Sequence, residues 1–295
     1  MRVGGMKGKT MIWAAVAIAA LLLLVGGNTL GRYTGVTVPR EAPEALAAQL
    51  RPHYRIERPE GDGPFPTALL LSGCDGPRDN LARWAGMLKA RGWASIVVDS
   101  HAPRGFGDFQ IWRLICAGQL LTGAERAGDI AVALADIRSL PFVDADRIAL
   151  VGASHGGWAI LEFLTFASRG EVPPTLTAWP EAIAQAPLAG VSGAVLLYPY
   201  CGQLSRVARR GWTKPVPVLF LLVENDAIAD ETACLRVARR EGDRGLPVET
   251  HVIPGVTHGF DQEEKAPLST LRFDAAATAD ALARGGDFLD RVAAP

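Results

Sequence analysis

The chain has 295 residues, of which 49% are hydrophobic and 21% are charged, and its formal net charge is −1 at pH 7. This apolar content is ample for a buried core, and the length falls within the range of one α/β domain. The near-neutral balance and the scatter of the 30 basic residues exclude an electrostatic case for nucleic-acid binding.

The N-terminal segment differs from the rest of the chain in carrying a long uncharged run. Three cations precede residues 11–25, and the run extends over residues 10–27, about 18 residues, which is the lower limit for a helix that spans a bilayer. A secretory signal peptide has the same basic start and apolar stretch. The small residues expected at a cleavage site are only weakly matched here, so we interpret residues 1–27 as an uncleaved signal-anchor in preference to a cleaved signal peptide. Both interpretations place the domain outside the cytoplasm, membrane-anchored or free in the periplasm, because positively charged flanks stay inside.

Residues 28–53 contain three prolines, which predicts a linker with a short helix at 43–50. Residues 54–295 are predicted to form one α/β domain. Short apolar runs alternate there with amphipathic stretches. The predicted strands are 67–72, 94–98, 147–151, 192–198, 216–223 and 248–253, and the predicted helices are 80–91, 123–140, 157–168, 229–241 and 270–292. This alternation predicts βαβ units, and hence a mostly parallel, doubly wound sheet with helices on both faces. Catalytic groups of such a fold lie on loops at the carboxyl ends of strands.

The sequence Gly152-Ala153-Ser154-His155-Gly156 fits the pattern G-x-S-x-G of a nucleophile elbow. In a chain with 32 glycines the pattern alone can be turn chemistry. Here, however, it follows a predicted strand and precedes a predicted helix, which is the setting that exposes a serine hydroxyl at a strained apex. The two glycines allow strand and helix to approach closely around that apex. The setting therefore favours Ser154 as a nucleophile.

A serine hydroxyl needs a base to take its proton, and the chain has five histidines. His258 lies in a glycine-flanked loop after the last predicted strand, where an α/β-hydrolase carries its base. The other four lie in the linker, in a strand, directly after the nucleophile, or on the loop after strand 94–98. His258 is therefore the predicted base.

The base needs a carboxylate that holds its tautomer and stabilises the imidazolium. The strand 216–223 is followed by Glu224-Asn225-Asp226, and Asp226 lies one turn past its end. Asp226 is the predicted partner, Glu224 is the alternative, and Asp230 is expected to cap the next helix. The order Ser154, Asp226, His258 is that of the α/β-hydrolases.

Acyl transfer also needs donors for the developing oxyanion, typically backbone N–H groups. One is expected from His155, directly after the nucleophile. The second is expected from the turn after the first core strand, from Cys74 or, in reserve, Asp75. Three irregular stretches, 101–121, 169–190 and 199–215, are expected to shape the substrate pocket.

The chain resembles the dienelactone hydrolase family of α/β-hydrolases. The stretches that carry the resemblance are 69–76, 98–105, 142–157, 221–226 and 257–261. It implies hydrolysis of a small-molecule ester or lactone with no metal and no organic cofactor. The type enzymes use a cysteine nucleophile where this chain has Ser154, which favours a general carboxylic-ester hydrolase over dienelactone itself. A further departure is Ser72-Gly73, where the family often has His-Gly.

Four cysteines can pair in three ways, and buried free thiols are the alternative. The resemblance implies the bridges Cys74–Cys116 and Cys201–Cys234. Arg104, on the loop after strand 94–98, either steers a substrate carboxylate or forms a salt bridge that shapes its own turn.

The resulting expectation is an exported serine hydrolase that acts on a small ester or lactone. One alternative is a peptidase of the prolyl-oligopeptidase type, although the residues before 54 leave no room for a propeller domain. The other is an inactive binding module of the same fold, which the presence of Ser154, Asp226 and His258 disfavours.

Overall fold

The fold was obtained as a computed structural model, which describes residues 5–107, 109–265 and 269–294. A seven-stranded sheet forms its centre in the order β1-β3-β2-β4-β5-β6-β7. The strands are β1 Arg55–Glu57, β2 Phe65–Leu71, β3 Ala94–Val98, β4 Val143–Ala153, β5 Val191–Leu197, β6 Val218–Val223 and β7 Val248–Ile253. All neighbours pair in parallel except β1, which runs antiparallel to β3 at the edge. The predicted doubly wound α/β-hydrolase sheet is thereby confirmed, and only the short antiparallel β1 was not foreseen.

Helices cover both faces of this sheet. The α-helices that the structure describes are α1 Gly5–Thr34, which projects from the domain, and α2 Pro43–Leu50, α3 Asp79–Ala90, α4 Gly123–Ile137, α5 His155–Ala167, α6 Val207–Arg210, α7 Glu231–Asp243 and α8 Ala275–Val292. A short π-helical turn, Gln110–Ile115, lies between β3 and α4. Helix α4 begins with a capping box in which Thr122 and Glu125 exchange hydrogen bonds, so the start predicted at residue 123 coincides with the observed one.

The sheet separates two hydrophobic cores. Along β2, Leu69 and Leu71 face the core that contains α2, α4, α5 and α7, whereas Ala68 and Leu70 face the core that contains α3 and α8. Because both faces are covered, the central strands read as continuous apolar runs rather than alternating ones. The same covering makes the loops at the strand ends the accessible place for polar catalytic groups.

The N-terminal part of helix α1 projects from the domain, and its C-terminal end packs against the domain. Residues 10–27 are exposed throughout, and partial burial begins at Asn28. The stretch Thr10–Thr34 is long and apolar enough to cross a membrane, with a mean hydropathy of 2.3. The helix thus continues to Thr34, into the segment expected to be a linker. Helix α2 of the same segment packs into the core through Leu46 and Leu50.

Candidate active site

Ser154 lies at the apex between β4 and α5 with a left-handed backbone, φ 51° and ψ −111°. Such a conformation is strained for a residue with a side chain. The adjacent glycines permit it, since a Cβ on Gly152 would come within 2.6 Å of the carbonyl carbon of Gly156. A Cβ on Gly156 would come within 2.3 Å of the carbonyl oxygen of Leu71. The turn therefore presents the Ser154 hydroxyl above the sheet, as the elbow pattern predicts.

His258 follows β7 and reaches the serine from the neighbouring strand ends. The Ser154 hydroxyl donates to Nε2 of His258 at 2.8 Å, and Nδ1–H of His258 donates to Oδ2 of Asp226 at 2.7 Å. The ring of Tyr198 packs edge-on against the imidazole, with ring centroids 4.6 Å apart. Three residues that lie far apart in sequence thus form one continuous hydrogen-bonded chain.

The Asp226 carboxylate is held by its own loop. Its Oδ1 accepts hydrogen bonds from the backbone N–H groups of Ile228 and Ala229 at 2.8 and 3.1 Å. Burial alone would raise the pKa of Asp226, but the hydrogen bond and charge of His258, together with these backbone donors, lower that pKa below 3.8. The group is therefore ionised at neutral pH. The alternative, Glu224, is exposed, and Asp230 caps α7 by accepting from the N–H of Thr232.

The turn after β2 lies beside Ser154. A Cβ on Gly73 would lie 3.9 Å from the Cβ of Ser154, and Cys74, Asp75 and His155 line the same cavity as the serine. Nε2–H of the buried His101 donates to the carbonyl oxygen of Cys74 at 3.0 Å. This bond fixes the peptide plane of the turn from which the second oxyanion donor is expected.

Arg126, on α4, lies beneath both predicted oxyanion donors and is fully buried. Its guanidinium donates to the Ser72 carbonyl oxygen at 2.8 Å, to Oγ of Ser100 at 3.1 Å and to Nδ1 of His155 at 3.1 Å. No sequence motif indicated this residue. The available signal was one arginine among the small and apolar residues of α4, on a helix face that the sheet had to cover.

Burial governs the ionisation of this cluster. It lowers the pKa of Arg126 to about 10, which leaves the guanidinium charged at neutral pH. Burial and then the charge of Arg126 lower the pKa of His155 well below its usual value, and the same two causes lower the pKa of His101 to about 4. Both imidazoles are therefore neutral, which suits the acceptor role of His155 Nδ1.

A cavity of about 770 Å³ opens over Ser154. Its apolar lining comprises Phe109, Trp158, Tyr198, Tyr200, Leu204, Ile228 and Leu271. Two of the three stretches expected to shape the pocket contribute to it, 101–121 and 199–215. None of the lining residues comes from 169–190, and an unforeseen part of the wall comes from residues 258–262 and 269–271.

Arg104 does not line this cavity, so its suggested role in substrate binding is corrected. The guanidinium forms a two-point ion pair with Asp129, at 2.8 and 3.0 Å, and donates to the Ser100 carbonyl oxygen at 2.7 Å. These bonds hold the turn after β3, in agreement with the alternative interpretation that Arg104 forms a salt bridge shaping its own turn. The cation that lines the cavity is Arg113, on the π-helical turn.

Disulfide bonds join Cys74 to Cys116 and Cys201 to Cys234, with Cα atoms 5.0 Å apart in each pair. The first bond connects the turn after β2 to the π-helical segment of the cavity wall, since both of its cysteines line the cavity. The second connects the loop after β5 to α7, outside the cavity lining. Across the described residues, no cluster of three or more His, Cys, Asp or Glu side chains is arranged to hold a metal ion.

Comparison with known proteins identifies the family of this chain. The family model of the dienelactone hydrolases matches residues 56–293. Esterase 2 of Thermogutta terrifontis, in a structure phosphorylated by paraoxon, superposes with a TM-score of 0.60 at 17% identity, covering 82% of this chain and 90% of that one. At this identity the likeness shows the shared fold alone.

Two curated relatives are larger proteins. Acylamino-acid-releasing enzyme 1 of Oryza sativa subsp. japonica is 25% identical over 230 residues, which are 68% of this chain and 28% of that protein. Dipeptidyl-peptidase 5 of Porphyromonas gingivalis is 32% identical over 102 residues, which are 32% of this chain and 14% of that protein. The chain thus spans less than a third of the length of either relative.

Proposed function

The chain belongs to the dienelactone hydrolase family and is a hydrolase, and from this premise we propose that it cleaves a small carboxylic ester or lactone through an acyl-enzyme on Ser154. The observation that carries the proposal is the hydrogen-bonded chain from the Ser154 hydroxyl through His258 to Asp226. A cysteine is the nucleophile in the family's type enzymes. The hydroxyl here needs the adjacent base more, because it does not ionise by itself at neutral pH.

The proposed reaction has an acylation step and a deacylation step. His258 Nε2 takes the proton as Ser154 Oγ bonds to the carbonyl carbon, and the negative charge forms on the carbonyl oxygen. The backbone N–H groups of His155 and Cys74 donate hydrogen bonds to that oxygen and stabilise its charge. The tetrahedral species collapses, the carbon–oxygen bond to the leaving alcohol breaks, and the alcohol takes the proton from His258. Water then attacks the acyl-enzyme with His258 again as base, releasing the acid and restoring the serine. With a lactone, acid and alcohol leave as one molecule.

We also propose that the reaction takes place outside the cytoplasm. The exposed run at residues 10–27, behind N-terminal cations, supports a membrane anchor or signal with the catalytic domain on the extracytoplasmic side. Two disulfide bonds support the same side, since such bonds persist in oxidising compartments.

Peptide-bond hydrolysis is the second candidate, because both curated relatives are named for the release of amino-acid or dipeptide units. An ester needs less help than an amide, since an alkoxide leaves more readily than an amine. Comparing hydrolysis of p-nitrophenyl acetate with that of a Gly-Pro anilide separates the two candidates. Cleavage of the anilide at a comparable rate would favour the peptidase.

The direct test of the nucleophile is labelling with a fluorescent phosphonate that reacts with activated serines. The expected result is one label per chain, lost in Ser154→Ala and retained in Ser139→Ala, a serine on a surface turn after α4. The absence of both labelling and ester hydrolysis in the parent protein would instead favour an inactive binding module.

A further inference from the structure

The end of α1 is fastened to the domain by polar contacts. The Asn28 side-chain amide donates to the backbone carbonyl and to Oε1 of Gln119 at 2.9 and 3.0 Å, and Gln119 Nε2 donates to Oγ1 of Thr29 at 2.8 Å. Arg32 forms a mostly buried ion pair with Glu125 at 2.7 Å. Burial along α1 begins at Asn28, so these contacts mark the point where the helix meets the domain.

The surface that receives α1 is the outer side of the cavity wall. Gly118, Trp158 and Leu204 line both the catalytic cavity and a small cleft against Thr29 and Tyr33 of α1. These three residues therefore contact α1 on one side and line the catalytic cavity on the other.

A buried ionic contact reinforces this wall. Arg206 stacks over the ring of Tyr33, 5.0 Å from its centroid, and bonds to the Tyr33 carbonyl oxygen. The same arginine pairs at 3.4 Å with Glu162, which is fully buried and accepts from the indole N–H of Trp158 at 3.0 Å. A continuous series of contacts thus runs from α1 to the aromatic wall of the cavity.

A membrane-inserted α1 would place this wall at the membrane boundary. At a rise of 1.5 Å per residue, the exposed residues 10–27 span about 27 Å, close to the hydrocarbon thickness of a bilayer. The last apolar residue of the run, Val25, precedes Asn28 by about 5 Å along the axis. A helix inserted up to Val25 therefore holds Gly118 and its neighbours within the headgroup layer.

The rim of the cavity carries exposed apolar side chains. Phe109 is 71% exposed and Ile228 is 58% exposed, and both line the cavity. In the described part of the chain after Val36, the other large apolar side chain with comparable exposure is Ile56, on β1 and outside the cavity lining. Phe109 also belongs to the segment that ends at the docked Gln119, so the rim and the anchor are joined by one short stretch of chain.

We propose that the docked end of α1 holds the catalytic cavity against the bilayer surface, and that the enzyme hydrolyses amphiphilic esters whose apolar chain partitions into the membrane. The inference rests on the proposed ester hydrolysis and adds its substrate class. The apolar lining takes the chain of the ester, while Ser154 acts on the carbonyl group at the headgroup level.

The test uses the full chain reconstituted in dioleoyl phosphatidylcholine vesicles, with p-nitrophenyl laurate as the partitioning ester and p-nitrophenyl acetate as the soluble one. A flexible Gly-Ser spacer of about 12 residues between Gly26 and Gly27 leaves the docked residues in place and moves the domain about 19 Å from the bilayer. The matched control carries the same spacer between Gly61 and Asp62, in an exposed turn before β2.

The expected result is that the spacer at Gly26 lowers laurate hydrolysis about tenfold, because the effective concentration of the bilayer-held ester is lost. Its acetate hydrolysis should match that of the parent, and the control should keep both rates. An unchanged ratio of laurate to acetate rates in the spacer variant would overturn the membrane inference alone. Failure of the parent to hydrolyse either ester would overturn the proposed function as well.

The rim is tested by a second pair of variants. Phe109→Ser should lower laurate hydrolysis more than acetate hydrolysis, because the rim aromatic meets only the long chain. Ile56→Ser removes an exposed apolar side chain of similar kind away from the cavity, and its ratio should stay at the parent value. Equal ratios in the two variants would argue against substrate entry past the rim.

Discussion

Arg126 donates a hydrogen bond to Nδ1 of His155 at 3.1 Å, so a fully buried cation supports the residue that is expected to supply an oxyanion donor. The same guanidinium holds the Ser72 carbonyl, next to the turn that is expected to supply the other donor. Arg126 thus connects the two halves of the predicted oxyanion site, from the side opposite to the substrate.

The first prediction concerns this positioning role. Arg126→Lys keeps the charge but loses the planar set of donors, and should lower kcat about tenfold or more with little change in KM, because the donors meet charge only in the transition state. Rates are expressed per active site by phosphonate titration, which removes the effect of unfolded protein. Arg138→Lys, at the end of the same helix, is the control. An Arg126→Lys variant whose titrated sites turn over at the parent rate would show that the arginine is only structural.

The second prediction concerns the three residues in hydrogen-bonded contact. Ser154→Ala and His258→Ala should each remove most of the rate on p-nitrophenyl acetate, and the double variant should lose little more, because residues that act as a unit do not contribute additively. Asp226→Asn should lose somewhat less, since the base remains. Additive losses in the double variant would contradict the shared mechanism.

The third prediction separates the two disulfide bonds. They close loops of 42 and 33 residues, so the loss of either should lower the free energy of unfolding by a similar amount, about 4 kcal/mol in the chain-entropy account. Of the two, Cys74–Cys116 joins the turn after β2, which is expected to supply an oxyanion donor, to the cavity wall. A Cys116→Ser, Cys74→Ser variant should therefore lose kcat, whereas Cys201→Ser, Cys234→Ser should lose stability with kcat nearly kept. Equal losses of kcat in the two double variants would contradict this prediction.

The fourth prediction concerns acid stability. Burial and the charge of Arg126 lower the pKa of His101 from 6.5 to about 4, so between these pH values the unfolded chain binds a proton that the folded chain does not. The free energy of unfolding should therefore fall as the pH drops from 6.5 towards 4, by up to about 3 kcal/mol from His101. His155 acts in the same direction.

Urea unfolding at pH 7 and at pH 4.5 measures this effect. His101→Gln, which keeps a donor for the Cys74 carbonyl, should reduce the difference between the two conditions. Equal stability of the parent at both pH values would contradict the assigned neutral state of His101.

The elements that the sequence predicted well are those whose signals are local. The strands 94–98 and 248–253 coincide with β3 and β7 because each is a short run between turns. The elbow is equally local, since its strand, apex and helix follow one another without interruption over residues 143–167. The positions of Asp226 and His258 after successive strands then follow from the parallel order, which brings their loops to one edge of the sheet.

The elements that were missed depend on contacts between distant residues. The pairing of β1 with β3 joins residues about 40 positions apart. All three residues of β1 are exposed and only Ile56 is apolar, so the strand carries no run of buried side chains that would indicate it. Arg126 could not be distinguished from a surface arginine, because its acceptors lie on three other elements. The true place of Arg104 likewise depends on Asp129, a carboxylate of the next helix.

The backbone of Ser154 has a consequence for how such a protein can be improved. A positive φ with a side chain costs about 1–3 kcal/mol, and glycine tolerates positive φ with little strain. Ser154→Gly should therefore melt at a higher temperature than Ser154→Ala, although neither has a hydroxyl. Selection for heat resistance alone would therefore favour glycine at position 154 and lose the hydroxyl. A thermostable variant that keeps Ser154 has to gain its additional folding free energy at other positions.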